Sequence, residues 1–124
     1  MANKQYGTLV YGSTESDILA ASAVDSTLHG GSGNDTLIGN QGDDFLGSGK
    51  GNDYVFGGAG DDYIFAGLGQ NVLNGDNGND TLNGNGGGGD TLRGGQGNDR
   101  LSGGFESDFL TGAGNFGRWC CCFG

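Results

Sequence analysis

Residues 30–65 read GGSGNDTLI, GNQGDDFLG, SGKGNDYVF and GGAGDDYIF, which are four consecutive blocks of nine residues with one shared pattern. Glycine holds the fourth place of each block, aspartate the sixth and an aliphatic residue the eighth. The frame continues as AGLGQNVLN and GDNGNDTLN to residue 83, and one extra glycine follows within residues 84–89. It then resumes as NGGGGDTLR, GGQGNDRLS and GGFESDFLT to residue 111. Three places in phase over nine blocks identify a repeat array.

The frame also extends upstream in a weaker form. Block 12–20, GSTESDILA, keeps Asp17 and Leu19 but lacks the fourth-place glycine, and block 21–29, ASAVDSTLH, has Ser26 in place of aspartate. Terminal repeats of solenoid proteins are usually atypical. We therefore interpret residues 1–29 as degenerate repeats that form an N-terminal cap, 30–111 as the repeat array and 112–124 as an irregular tail.

The composition excludes several function classes. The chain has 124 residues, of which 31 are glycine, and a formal net charge of -10, whereas a nucleic-acid partner needs a basic surface. No apolar run is long enough to span a membrane. The three cysteines, Cys120–Cys122, are adjacent and cannot form a disulfide framework; we interpret this tail as the product of a broken or truncated reading frame. His29 is the only histidine and has no catalytic motif around it, so we predict no enzyme in this chain.

The period predicts a fold. Glycine and small polar residues in the first six places favour a turn, and the last three places read as a short strand whose side chains alternate between faces. Two blocks therefore make one coil of 18 residues, and coils stacked about 4.8 Å apart form two parallel sheets. We predict an all-β parallel β-solenoid with the eighth-place residues inside. Its two aliphatic ladders are Leu37, Val55, Leu73, Leu92, Leu110 and Leu28, Leu46, Ile64, Leu82, Leu101.

This pattern resembles the RTX family of hemolysin-type calcium-binding repeats, whose consensus is GGxGxDxUx. Blocks GGSGNDTLI and GGAGDDYIF match every place of that consensus. The resemblance implies a parallel β-roll in which Ca²⁺ lies between successive turns on one edge, held by aspartate and carbonyl oxygens. It also implies a secreted, extracellular protein, although the N-terminal residues show no export signal.

If vertically adjacent turns are two blocks apart, neighbouring sixth-place residues share an ion, and about four to six ions are expected. The predicted ligands are Asp17, Asp35, Asp44, Asp53, Asp62, Asp80, Asp90, Asp99 and Asp108, with turn carbonyls near Gly31, Gly33, Gly42, Gly49, Gly51, Gly58, Gly60, Gly78 and Gly97. The pairs Asp17/Asp35 and Asp90/Asp108 are poorer, because GSTESD and GGFESD lack the fourth-place glycine. The two gaps that flank Asn71 lose a charge and should bind weakly.

Alternatives stay open at this point. Aspartate beside glycine is common in plain turns, but a metal-free solenoid would tolerate asparagine, serine or threonine where aspartate takes eight places of nine. The leading hypothesis is a secreted module that folds on binding Ca²⁺, and the competing one is a stand-alone adhesive or surface-binding solenoid with structural calcium. Outward aromatic residues reflect either strand propensity or a contact surface for a partner domain or a second copy. These residues are Phe45, Tyr54, Phe56, Tyr63 and Phe65.

Overall fold

The structure, a computed structural model, describes residues 9–21 and 25–112 and the backbone of 118–120. These residues form thirteen strands of three residues each and no helix, so none of the described segments is a helix that could cross a membrane. The strands are β1 (Leu9–Tyr11), β2 (Ile18–Ala20), β3 (Thr27–His29), β4 (Thr36–Ile38), β5 (Phe45–Gly47), β6 (Tyr54–Phe56), β7 (Tyr63–Phe65), β8 (Val72–Asn74), β9 (Thr81–Asn83), β10 (Thr91–Arg93), β11 (Arg100–Ser102), β12 (Phe109–Thr111) and β13 (Arg118–Cys120).

The strands alternate between two parallel sheets. One sheet has the order β1-β3-β5-β7-β9-β11-β13, and the other has the order β12-β10-β8-β6-β4-β2. Each strand therefore pairs with the strand two blocks away, as in the register of Leu37 with Val55 and of Leu46 with Ile64. This arrangement confirms the predicted all-β parallel solenoid with two blocks per coil.

The core is a thin double ladder of aliphatic side chains. Every eighth-place residue from Leu19 to Leu101 is at most 1% exposed, and Leu110 packs partly buried against the end of the cluster. Residues in the first and sixth places are also buried, so the first, sixth and eighth places of a block face the interior. One aliphatic residue per block gives little apolar burial for the length of chain that is ordered.

The turns depend on left-handed backbone at the fourth place. All eight fourth-place glycines from Gly33 to Gly97 have φ between 100° and 121°, a region that L side chains rarely adopt. Glu106 takes this place in the last block and still adopts a φ of 80°. The fourth-place glycine is thus favoured by conformation, and the close stacking of coils adds a steric reason for it.

The extra residue of the array is Gly86. Gly84 lies against Asp90 as a first-place glycine lies against its own aspartate. The Gly87 carbonyl accepts a hydrogen bond from the Gly69 N–H, which is the bond that third-place carbonyls make elsewhere in the stack. Gly87 therefore holds the third place of its block, and Gly86 is the inserted residue. Gly86 lies beside Leu68, and the strands on either side keep their register.

Aromatic side chains line the outer faces of both sheets. Phe45 and Tyr63 stack with ring centroids 5.2 Å apart, and Tyr54 and Phe56 are exposed on the opposite sheet. Their use as a contact surface stays a prediction. So do the domain boundaries, although the tail contributes β13 beside β11. Cys121 and Cys122 lie outside the described residues.

Replacing Gly60 with alanine should destabilise the fold by about 2–4 kcal/mol, because the residue combines left-handed backbone with overpacking. Its φ is 111°, and an added Cβ would lie 2.0 Å from the carbonyl oxygen of Gly42. Gly47→Ala is the matched control, since the nearest heavy atom to its added Cβ is His29 Nδ1 at 3.5 Å. Thermal unfolding at saturating calcium measures both. Equal losses of stability in the two variants would contradict the stacking described here.

Candidate metal sites

The sixth-place residues form one buried row on each edge of the solenoid. One edge carries Asp17, Asp35, Asp53, Asn71, Asp90 and Asp108, and the other carries Ser26, Asp44, Asp62, Asp80 and Asp99. The sixth-place aspartates from Asp17 to Asp99 are at most 3% exposed. The structure thus brings the predicted carboxylates into two rows, in the order expected from the repeat.

One oxygen of each carboxylate holds the coils together. Oδ1 of Asp53 accepts a hydrogen bond from the backbone N–H of Asp35 at 2.7 Å, and Oδ1 of Asp80 accepts one from Asp62 at 2.8 Å. The bond is repeated along both rows. Each aspartate therefore caps the coil that precedes it, which leaves its second oxygen for another partner.

The second oxygens have no such partner. Oδ2 is buried and accepts no hydrogen bond from the described residues in eight aspartates: Asp35, Asp44, Asp53, Asp62, Asp80, Asp90, Asp99 and Asp108. An ionised oxygen without a donor or cation is costly to bury. Each of these oxygens therefore requires a proton or a metal ion to stabilise it.

The first-place glycine makes room for this oxygen. A Cβ on Gly30 would lie 2.7 Å from Oδ2 of Asp35 and 2.5 Å from the carbonyl oxygen of Ser48, which is the first-place residue of the next coil. On the other edge, a Cβ on Gly57 would lie 2.5 Å from Asp62 Oδ2. A carboxylate oxygen and a carbonyl oxygen thus approach the same small space between consecutive coils. The sequence pattern contained this glycine, but its relation to the aspartate five places later was not predicted.

The turn carbonyls divide into two groups. Several second-place carbonyls bond the next coil, as Gly31 does with the Lys50 N–H and Gly58 with the Asn77 N–H. The carbonyl of Gly49, the third second-place ligand predicted, accepts no backbone hydrogen bond from the described residues. Among the described residues, no backbone hydrogen bond between coils reaches a first-place or fourth-place carbonyl. The fourth-place carbonyls include the predicted ligands Gly33, Gly42, Gly51, Gly60, Gly78 and Gly97. Gly31 and Gly58 are therefore the predicted carbonyls that already have a backbone partner.

These donors fit a hard cation. In the described part of the chain, no three His, Cys, Asp or Glu side chains converge on one point, so backbone carbonyls would have to supply much of the coordination. Calcium accepts such a mixed set of carboxylate and carbonyl oxygens at flexible geometry. The two rows contain neither histidine nor cysteine, which are the ligands that zinc and copper prefer, so calcium suits them better.

Asp17 differs from the other aspartates. Its Oδ2 accepts hydrogen bonds from the backbone N–H of Ser13 at 2.5 Å and from the Ser13 hydroxyl at 3.0 Å. The second oxygen is thus satisfied within the same block, where serine stands instead of the second-place glycine. This geometry agrees with the expectation that the first junction of the row is poorer.

Burial raises the pKa of these carboxyl groups. The pKa rises from 3.8 to about 6 in Asp35, Asp44 and Asp90, to about 7 in Asp62 and to about 8 in Asp80. Loss of hydration is the largest cause, the hydrogen bond from the preceding coil opposes it, and neighbouring carboxylates raise the pKa further. Without a cation, the folded state therefore favours protonated carboxyl groups.

A second ladder runs beside the first at the fifth place. Oδ1 of Asn34 accepts a hydrogen bond from the N–H of Asn52 at 2.9 Å, and Oδ1 of Asp43 accepts one from Asp61 at 2.8 Å. Here the acceptor belongs to the earlier coil, whereas at the sixth place it belongs to the later one. We predicted no role for these exposed side chains. The recurrence of Asn or Asp at the fifth place is the sequence signal from which this ladder could have been predicted.

The family model for the RTX calcium-binding nonapeptide repeat matches four segments of the chain, residues 11–46, 48–73, 64–89 and 84–116. The matched segments cover nearly all of the repeats described above. No curated protein matches the sequence.

In chelator, lowering the pH from about 8 to about 5 should increase the β-sheet content. Because the folded-state pKa values exceed the ordinary 3.8, the metal-free fold is most stable at low pH. That stability is fully present below the ordinary pKa of 3.8 and is lost as the pH rises from there through the folded-state values of about 6 to 8. Circular dichroism at constant ionic strength measures the change. A β-sheet signal in chelator that grows with rising pH would contradict the burial of these carboxylates.

Proposed function

The chain belongs to the RTX calcium-binding nonapeptide repeat family, and we propose that Ca²⁺ binding between its coils is what folds it. The family assignment establishes a calcium-binding module. The proposal adds that the unliganded chain is largely disordered, that the ions bind at the two sixth-place rows, and that the parent protein works outside the cell.

The observation that supports the proposal best is the row of buried Oδ2 atoms without a donor. Each junction between two sixth-place aspartates brings together two carboxylates in the low-dielectric interior, and like charges repel there more strongly than in water. An ion bound between them removes both the repulsion and the unsatisfied oxygens. The same ion cannot be bound in this way by an unfolded chain, since the ligands belong to blocks far apart in the sequence.

The thin core supports the same conclusion. Only one aliphatic side chain per block is buried, while glycine-rich turns lose much conformational freedom on folding. Ligands that bind only the folded state stabilise it by linkage, and structural metals commonly contribute their binding energy to folding. Calcium suits this role better than magnesium, because Mg²⁺ retains its waters and requires a stricter octahedron.

We propose ligand sets that each span two coils. A sound junction would use the Oδ2 atom of one aspartate, the carboxylate of the next, and first-place and fourth-place carbonyls. The junctions with this complete donor set are Asp35/Asp53, Asp44/Asp62, Asp62/Asp80, Asp80/Asp99 and Asp90/Asp108. Of these, Asp90/Asp108 is the most exposed, because Asp108 is only partly buried.

The calcium affinity expected for this chain favours a secreted protein. Extracellular calcium modules bind in the range of about 0.1–1 mM, which is far above the free calcium level that intracellular sensors respond to. A chain with these affinities would stay unfolded until it reached a calcium-rich compartment. Folding would then accompany export, and the ions would retain the folded state outside.

The chain should be largely disordered in chelator and gain β-sheet structure as calcium reaches about 0.1–1 mM. The reason is that folding buries two carboxylate rows that only cations can neutralise at neutral pH. Circular dichroism across a calcium titration tests this expectation, with magnesium at equal concentration as the control. Full β-sheet content in chelator at pH 8 would overturn the proposal, and so would an equal response to magnesium.

Asp62→Ala should raise the calcium midpoint for folding several-fold, because Asp62 takes part in two junctions. Asp61→Ala is the matched control, since it removes the same charge from the neighbouring, exposed residue. Asp61 accepts one backbone hydrogen bond from Asn79, so a small effect is expected. Calorimetric titration gives the midpoint and the number of ions. Equal shifts in the two variants would mean that net charge, and not the sixth-place row, governs binding.

A further inference from the structure

We propose that the junction between Asn71 and Asp90 closes without a metal ion, because the Asn71 amide makes the contacts that a cation would need. This inference rests on the proposed function, since it concerns which junctions of the stack bind calcium. It makes the two gaps that flank Asn71 different from each other.

The orientation of the Asn71 amide is fixed by its neighbours. Its Oδ1 accepts a hydrogen bond from the backbone N–H of Asp53 at 2.9 Å, so the other amide atom is the NH₂ group. That group lies 3.2 Å from Oδ1 of Asp90 and 3.3 Å from the carbonyl oxygen of Gly69. The amide therefore donates towards the next coil at the place where Asp35 and Asp62 have an Oδ2 without a donor.

Three possible calcium ligands are changed at this junction. An N–H donor replaces a carboxylate oxygen, the Asp90 carboxylate accepts from that donor, and the fourth-place carbonyl of Gly69 is also in contact with it. A cation placed here would face positive hydrogen atoms. The amide thus satisfies the buried polar groups that an ion satisfies elsewhere.

The first place of the same block is Ala66, which is fully buried and stands where most other blocks have glycine. Its methyl group does not by itself exclude a carboxylate, because Ser48 also carries a Cβ at the first place and Asp53 is still buried in the same block. The amide of Asn71, and not the methyl group of Ala66, therefore distinguishes this junction.

The other flanking gap keeps its oxygens. Between Asp53 and Asn71, the Asp53 carboxylate faces the Oδ1 side of the amide, and the buried Ser48 hydroxyl lies close enough to lower the pKa of that carboxyl group. One charge and the turn carbonyls remain there, so a weak site is retained. Between Asp35 and Asp108 the first row is therefore interrupted at a single junction, whereas the row from Asp44 to Asp99 is continuous.

The test is to repair the junction and to copy it elsewhere. Asn71→Asp should bind about one more calcium ion per chain than the unmodified protein, because it replaces the amide donor with a carboxylate oxygen. Ala66→Gly is the matched control and should leave the number of ions unchanged. Asp62→Asn copies the amide onto the other edge and should lose about one ion while the chain still folds. Native mass spectrometry of each calcium-loaded protein counts the ions.

Circular dichroism in calcium confirms that each variant is folded before its ions are counted. An unchanged count in a folded Asn71→Asp variant would overturn the inference, and so would a gained ion in Ala66→Gly alone. Asp62→Asn provides the second measurement: if the variant folds and keeps its full complement of ions, the inference is also wrong. Absence of calcium binding by the unmodified chain would instead overturn the proposed function.

Discussion

The fold depends on burying a carboxylate of which only one oxygen has a donor. From Asp35 onwards, each sixth-place aspartate uses Oδ1 to cap the preceding coil and leaves Oδ2 without a hydrogen-bond donor. The first bond sets the spacing of the coils, and the second atom requires that something positive come between them. Coil stacking and cation binding are therefore consequences of the same side chain, which explains why the repeat retains aspartate so strictly.

The fifth-place and sixth-place ladders act in opposite directions along the stack. At the fifth place the earlier coil supplies the oxygen and the later coil the N–H, and at the sixth place these roles are reversed. Each coil is thus bonded to both neighbours through its turns as well as through its strands. This double bonding fixes the turn that would hold an ion, because a rigid set of carbonyls reduces the entropy lost on binding.

Much of the fold was predictable from the sequence because each place of the repeat has one physical role. Because an aliphatic residue recurs every nine positions, only one side of each strand can face the core. This pattern is enough to place Leu37 and Val55 in one ladder. The rows of aspartates were predictable for the same reason. Gly86 was harder to place, because several adjacent glycines can each be the inserted residue until the bonds to Gly69 distinguish them.

The details of the sites were less predictable. The repeat pattern shows which residues recur but not which atoms meet between coils, so the packing of the first-place glycine against Oδ2 was missed. For Asn71 the loss of charge was visible in the sequence, but the donor that replaces it was not, because its direction depends on the Asp53 N–H in the preceding coil.

The stacking of coils has a mechanical consequence. Strand pairing and the bonds between turns join only successive coils, so tension applied at the two ends passes through every interface in series. A terminal coil would be released first, because it has one neighbouring coil instead of two, and each 18-residue coil would lengthen the chain by about 60 Å once extended. The solenoid is in this sense a series of extensible elements that lengthen one coil at a time.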